Sequence, residues 1–331
     1  MYLQSTIFLC IALLGLGHTG HVSGKVDTVP VAVRANAGEA QALQQWGATI
    51  EYLNQAVPGH QFVIQPYASI TQQLKDANDK KFAFLLTNPA TYVELEASHG
   101  AKAVLTLINN RNNTAQTRFG SVIFTHIDNT DILRLEDLRG KDFVAVNPLG
   151  FGGWRVGLKV LLDHGIQPDK DFASLSFAGK QPAAVEAVLA KKVHAGIVRT
   201  DMLERLSKEG KVNLRNVRIL NQQHTEGFPF FHSTPLYPEW PFAVMPHAPP
   251  QLAEQVKQAL LKLDKTHPAA QAGKYIGWTE ALDYRPVKQL LTDLGIEPFA
   301  DNKANTLFVY ILPVVLILLI AFYVLNKYIR K

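Results

Sequence analysis

Two short segments carry residue types suited to holding an anion. Thr87-Asn88-Pro89 joins the end of an apolar run to the start of a helical pattern, placing a hydroxyl and a carboxamide at a helix N-terminus. Asn147-Pro148-Leu149-Gly150-Phe151-Gly152-Gly153-Trp154 opens a second helical pattern. Its glycines permit close backbone approach, and Trp154 is placed to cover a bound ion. Helix N-termini present unpaired N–H groups and roughly half a unit of positive charge, so they hold oxyanions without many cationic side chains. Each segment also has a plainer reading. Thr87 or Asn88 can cap its helix, and the glycine turn can pack Trp154 into a core. If Phe151 to Trp154 form an anion cradle, Gly153→Asp should abolish binding and leave the fold intact.

Other polar residues fall at strand ends or at chain crossings. Arg34 ends the first strand, Tyr67 follows the second, and Arg118 precedes a strand that starts a new unit. Arg199 and Thr200 end another strand, and Lys180 follows Phe177-Ala178-Gly179. His232, Ser233 and Thr234 lie in a Phe- and Pro-rich stretch, Gly227 to Trp240, that reads as a rigid hinge. An arginine can hold an oxyanion bidentately. Equally, Arg199 can pair with Asp201 or Glu204, and Lys180 can remain solvated.

Catalytic and metal patterns are missing from the sequence. It contains no Gly-x-Ser-x-Gly, no His-Glu-x-x-His and no Walker-type loop. The eleven histidines lack paired metal-ligand spacing, so no catalytic residue, metal or cofactor is expected. Of the formal charge of +5, three units belong to Lys327, Arg330 and Lys331, which leaves +2 upstream and gives no basis for nucleic-acid binding.

The elements that position these residues alternate between strand and helix, which predicts an α/β fold with mostly parallel strands. Strands are expected at 28–34, 61–66, 82–86, 119–125 (edge-like), 143–146, 172–177, 195–198 and 217–220. Helices are expected at 40–56, 70–77, 89–99, 150–164, 182–191 and 201–209, with a short one over Leu135 to Leu138. The first helix should turn Leu43, Trp46, Gly47, Ile50 and Leu53 to one side. Final helices at 250–263, 268–275 and 286–294 should pack on the first unit.

The ends indicate a compartment. Leu307 to Leu325 is an uncharged run of about 19 residues, close to the roughly 20 that span a bilayer core. The cations after it mark residues 326–331 as a cytoplasmic tail. Residues 1–24 have the layout of a secretory signal or an N-terminal anchor, with the single cysteine, Cys10, inside the apolar part. A single-pass protein of a bacterial inner membrane is expected, with its large part in the periplasm.

Several ordered motifs make residues 29–296 resemble the phosphate, phosphite and phosphonate-binding proteins of bacterial importers. The resemblance is strongest to relatives that serve as sensor domains of tetrathionate-type histidine kinases. The motifs include Leu86-Thr87-Asn88-Pro89 with Tyr92-Val93-Glu94-Leu95-Glu96, Leu135-Glu136-Asp137-Leu138-Arg139-Gly140-Lys141 and Phe151-Gly152-Gly153-Trp154. They also include Gly227-Phe228-Pro229-Phe230, Leu236-Tyr237-Pro238-Glu239-Trp240-Pro241 and Gly277-Trp278-Thr279 with Leu282-Asp283-Tyr284. The resemblance implies a two-lobed clamshell of the type II periplasmic-binding-protein kind. Its first lobe would comprise 25–117 with 223–300 and its second 118–222, with the ligand between them at helix N-termini. Importer relatives specific for phosphonates carry hydroxyls where this chain has Phe151 and Gly152, and an acid for a ligand amine where it has Arg199. Those departures favour an anion without a cationic tail, a sulfur oxyanion such as tetrathionate or thiosulfate first and a phosphate- or phosphonate-like anion next. Two roles follow: a sensor acting through a separate histidine kinase, or a tethered component of an ABC importer acting with a permease.

Overall fold

The computed structural model describes residues 27–36, 38–296 and 298–299. The expected membrane span at 307–325, the tail after it and the N-terminal segment 1–24 lie outside these. Among the described residues, no helix is long and apolar enough to cross a membrane.

The chain first builds β1 (Asp27–Arg34), α1 (Glu39–Ala56), β2 (His60–Tyr67), α2 (Ile70–Asn78), β3 (Phe84–Leu86), α3 (Pro89–His99), β4 (Lys102–Arg111) and β5 (Thr114–Gln116). After β6 (Arg118–Phe119) come β7 (Ser121–His126), β8 (Asp142–Ala145), α4 (Val156–Asp163), α5 (Pro168–Asp171), β9 (Ser174–Phe177), α6 (Gln181–Leu189), β10 (Ala195–Arg199), α7 (Met202–Lys208) and β11 (Val217–Leu220). It returns through β12 (Tyr237–Pro238) to β13 (Pro241–Val244), α8 (Pro250–Leu261), α9 (Pro268–Gly273), β14 (Tyr275–Glu280) and α10 (Arg285–Asp293).

Two sheets result, each with helices on both faces. The first has the order β14-β4-β13-β3-β1-β2, with β5 on β4, and the second β11-β7-β10-β8-β9. Apolar clusters line both faces of each. Trp46, Leu53, Val256 and Leu260 cover one side of the first sheet, and Val93, Leu95, Leu290 and Leu291 the other. In the second, Leu161 and Trp154 oppose Val185, Val188 and Leu203. Between the sheets, β6 and β12 pair as a two-stranded ribbon with Phe119 opposite Tyr237, so the outgoing and returning chains run side by side. This is an α/β structure of two lobes.

Several expectations need correction. The sheets are mixed: β2-β1-β3 and β10-β8-β9 are parallel, whereas β13, β14, β4, β7 and β11 pair antiparallel. The returning chain enters the first sheet against its direction, which no local pattern encodes. The strand expected at an edge, β7, lies between β10 and β11 with all six residues buried. On α1 the buried face is Ala42, Trp46, Thr49, Ile50 and Leu53, and Leu43 is exposed. The glycine-rich turn opens as one π-helical turn, Phe151–Arg155, before α4. Strands β4, β13 and β14 lie outside the strands expected from the sequence.

Candidate functional site: an arginine-lined cleft between the lobes

Parallel strands leave their C-terminal ends open to solvent, and the crevice beyond those ends is the usual ligand position in an α/β sheet. Here that crevice is a cavity of about 260 Å³. The first lobe contributes Arg34 at the end of β1, the opening turns of α1, and Asn109 and Arg111 at the end of β4. The second contributes Gln181 at the start of α6, Arg199 at the end of β10, and Asp201 and Met202 where α7 begins.

Arg34 is held by its own sheet edge. Its Nη1 donates to the carbonyl oxygens of Tyr67, at 2.9 Å, and Ala68, while its buried Nε has no hydrogen-bond partner. Burial lowers its pKa, although a guanidinium remains charged at any physiological pH. Just beyond it, α1 starts from Gly38, whose φ of 103° excludes most other residues and which supplies no side-chain cap. The first N–H groups of this 18-residue helix therefore lack a side-chain acceptor, and Gly38 and Gln41 border the cavity.

At the opposite wall the charges are nearly balanced. Arg199 forms an ion pair with Glu239, its guanidinium carbon lies 4.0 Å from the centre of the Phe119 ring, and its Nε is 3.7 Å from Asp201 Oδ1. Glu239 is fully buried on the returning chain and also accepts from Asn109 Nδ2 at 3.0 Å. Arg111 Nη1 is 3.7 Å from Asp201 Oδ2, an oxygen with no hydrogen bond. Burial, and next the like charge of Arg199, lower the Arg111 pKa. Asp201 is itself held in a left-handed conformation with φ 72°. Arg34, Arg111 and Arg199 line the cavity with one carboxylate, Asp201, and Glu239 pairs with Arg199, so counting both carboxylates one positive charge is in excess.

Of the ligand residues expected from sequence, Arg34 and Arg199 line this cavity. Thr87 follows Leu86, which pairs with Val33, so it stands beside Arg34 at the same sheet edge; it is fully buried and its hydroxyl has no partner. Asn88 caps α3, its Oδ1 accepting from the N–H groups of Ala90 and Thr91. Tyr67 donates to Asp76 at 2.9 Å, and burial, with that contact second, raises its pKa beyond the ordinary tyrosine range. Arg118 and Lys180 are exposed. Thr200 is buried and bonds Gly120 through backbone and hydroxyl.

The expected anion cradle is filled by protein. Phe151 packs edge-on against Phe119 and Tyr237 of the ribbon, with ring centres 5.9 and 5.4 Å apart. Trp154 packs on Phe143 and Phe177. A Cβ at Gly152 would lie 2.7 Å from Phe119, and one at Gly153 would lie 2.8 Å from Val146. These glycines serve close packing, so Gly153→Asp would disturb the fold, contrary to the expectation above. Next to them, Arg155 Nη1 meets Glu94 Oε1 at 3.0 Å in a buried ion pair between the lobes.

His232, Ser233 and Thr234 are buried and secure the return. Ser233 accepts from Ile123 N and donates to the Leu220 carbonyl at 2.7 Å, and Thr234 accepts from Ser121 N. His232 is bonded to Thr225 and the Phe230 carbonyl. Sequence reasoning missed Asn109, Arg111, Gln181, Trp46 and Trp240 as cleft residues. Arg111 ends a strand that was not anticipated; only its place at a strand end, as for Arg34, could have marked it.

Comparison with known proteins agrees with this architecture. The chain is 33% identical over 290 residues to the tetrathionate sensor histidine kinase TtrS of Salmonella typhimurium, covering 87% of this chain and 47% of that protein. It therefore spans about half the length of this curated relative. Among solved structures, PhnD1 of Prochlorococcus marinus in complex with methylphosphonate is similar with a TM-score of 0.64 at 12% identity, covering 82% of this chain and 99% of that one. A Xanthomonas citri protein solved bound to ATP gives 0.63 at 17% identity, with 80% and 94% covered. A binding-protein component of an ABC phosphonate transporter from Pseudomonas aeruginosa gives 0.62 at 14% identity, with 81% and 87% covered. These likenesses bear on the fold. Residues 31–285 match the family described as ABC transporter, phosphonate, periplasmic substrate-binding protein, and the chain belongs to that family of solute-binding domains.

Proposed function

We propose that this chain recognises a small oxyanion in the arginine-lined cleft and serves, without catalysis, as the sensing part of a signalling system. The carrying observation is that Arg34 and Arg111 from one lobe and Arg199 from the other border a single cavity. A ligand held by both lobes favours their closed arrangement by its differential affinity for it. Sulfur oxyanions such as tetrathionate or thiosulfate come first, because the sensor relative is named for tetrathionate. Phosphate- and phosphonate-like anions come next. In this reading, 25–117 with 223–300 form one lobe and 118–222 the other. The run at 307–325 anchors the domain on the periplasmic side of an inner membrane, and closure is passed to a histidine kinase.

The family match favours a second role, a tethered binding component that delivers such an anion to an ABC permease. Thermal unfolding of the full chain against phosphate, phosphite, phosphonates, sulfate, thiosulfate and tetrathionate tests the oxyanion reading, since a ligand that binds only the folded state raises its stability by mass action. A selective upward shift that disappears in Arg34→Gln supports it. Equal curves with every anion would overturn it.

A further inference from the structure

A second concavity, of about 420 Å³, crosses the junction of the lobes, and its volume falls within the roughly 300–1,000 Å³ of small-molecule sites. Three exposed lysines border it: Lys208 at the end of α7 in the second lobe, and Lys265 and Lys274 on either side of α9 in the first. Carboxamides come from Asn110 of β4, Asn112 and Asn113 of the β4–β5 turn, and Gln271 of α9, and no carboxylate lines it. Along β4, Asn110 borders this concavity whereas Asn109 and Arg111 border the cleft, as the alternation of a strand requires.

Acids next to these lysines in sequence turn elsewhere. Glu209 accepts from Arg205 at 3.2 Å and from Lys211 at 2.8 Å, and Asp264 accepts from the N–H and hydroxyl of Thr266 at 2.8 and 2.6 Å. Among the described residues, none of the three lysines is ion-paired, so three ammonium groups border one concavity uncompensated. Lys274 ends α9 with φ 56°, a conformation that glycine adopts at less cost, so this position carries its ammonium group at a conformational expense.

We propose that this concavity binds a small polyvalent anion, an oligophosphate or a polycarboxylate, between Lys208 of one lobe and Lys265 and Lys274 of the other. Lysines suit it as point charges, and the carboxamides donate hydrogen bonds to its remaining oxygens. A protein partner fits less well, because interface centres are rich in aromatic anchors and poor in lysine. The one aromatic residue here, Tyr275, is 2% exposed and its hydroxyl is bonded to Thr49. An anion held from both lobes favours the lobe arrangement that brings the three lysines together. The inference is independent of the cleft's role as an oxyanion site.

Calorimetric titration of the full chain with inorganic tripolyphosphate and with citrate tests this. At least one should bind, more weakly as ionic strength rises, and which one binds more tightly separates an oligophosphate from a polycarboxylate. Lys208→Gln and Lys274→Gly should each weaken that binding about tenfold or more, whereas Lys75→Gln, at an exposed lysine of α2 outside the lining, should leave it unchanged. Because glycine suits the backbone at 274, Lys274→Gly should hold or raise the unfolding midpoint while lowering affinity, a split that a merely structural lysine would not produce. An equal loss in Lys75→Gln would reduce the binding to general attraction and overturn the proposal. So would a loss in Arg34→Gln that the lysine variants lack, which would place the polyanion in the cleft, or titrations in which neither anion binds. Tighter binding of a polyglutamate peptide than of either anion would make the face a protein-docking surface instead.

Discussion

Arg199, at the end of a second-lobe strand, and Glu239, on the chain returning to the first lobe, form an ion pair in which the carboxylate is fully buried. The pair ties the second lobe to the chain that returns to the first. Removing one member of a buried pair strands the other charge, at a cost of about 3–5 kcal/mol. Arg199→Met should therefore lower unfolding stability by about that amount. Arg199→Met combined with Glu239→Gln should recover most of it. Chemical denaturation of the wild type, both single variants and the double variant measures the coupling; additive losses would show that the pair contributes nothing of its own.

Arg111 differs from Arg199 because its guanidinium is near a carboxylate without hydrogen bonding to it. Its loss should affect binding more than folding. With about 1.5–3 kcal/mol for a hydrogen bond to a charged group, Arg111→Gln should weaken oxyanion binding about 10- to 100-fold. Titration calorimetry checks this, and unchanged affinity would place the anion elsewhere in the cleft.

Gly153 is packed on Val146, and its carbonyl oxygen accepts the Val146 N–H at 3.2 Å. Adding a methyl group there overpacks the second lobe. Gly153→Ala should cost about 1–3 kcal/mol, seen as a lower unfolding midpoint. A midpoint equal to wild type would mean that the turn opens in solution, restoring the cradle expected from the sequence.

Glu204 gives a pH signature. One carboxylate oxygen accepts the Phe231 N–H and the other has no partner; burial is the main cause of its raised pKa. Its folded pKa exceeds the unfolded value, so the folded state binds the proton more tightly. Stability then falls as pH rises from about 4.5 through the raised folded value. Glu204→Gln retains an acceptor for Phe231 and removes the titration. Relative to wild type it should become more stable as pH rises from about 4.5, measured as the difference in melting temperature across a pH series. A constant difference would show that Glu204 is not titrating in this way.

Local chemistry made several elements readable. Helix α3 has the expected ends, Pro89 and His99, because Asn88 caps one end, proline occupies the first turn and Gly100 adopts the left-handed conformation at the other. Strand β11 matches for a similar reason, a β-rich run after a capped turn. Strand β4 is not legible as a strand because its end, Asn109-Asn110-Arg111, is polar. Asn109 and Arg111 face the cleft and the lobe crossing, where burial follows from the other lobe and not from periodicity.

By itself, the sequence determined the alternation of strands and helices, the family motifs, and two of the three cleft arginines as residues at strand ends. Tertiary structure decided the rest. Arg34, Arg111, Arg199 and Trp240 come from four separated segments, and only the double crossing through the β6–β12 ribbon makes them neighbours. The same packing placed Phe119 and Val146 against the glycines of the 151–154 turn. Whether a glycine meets a ligand or a side chain depends on what the rest of the chain brings to it, and local sequence carries no record of that.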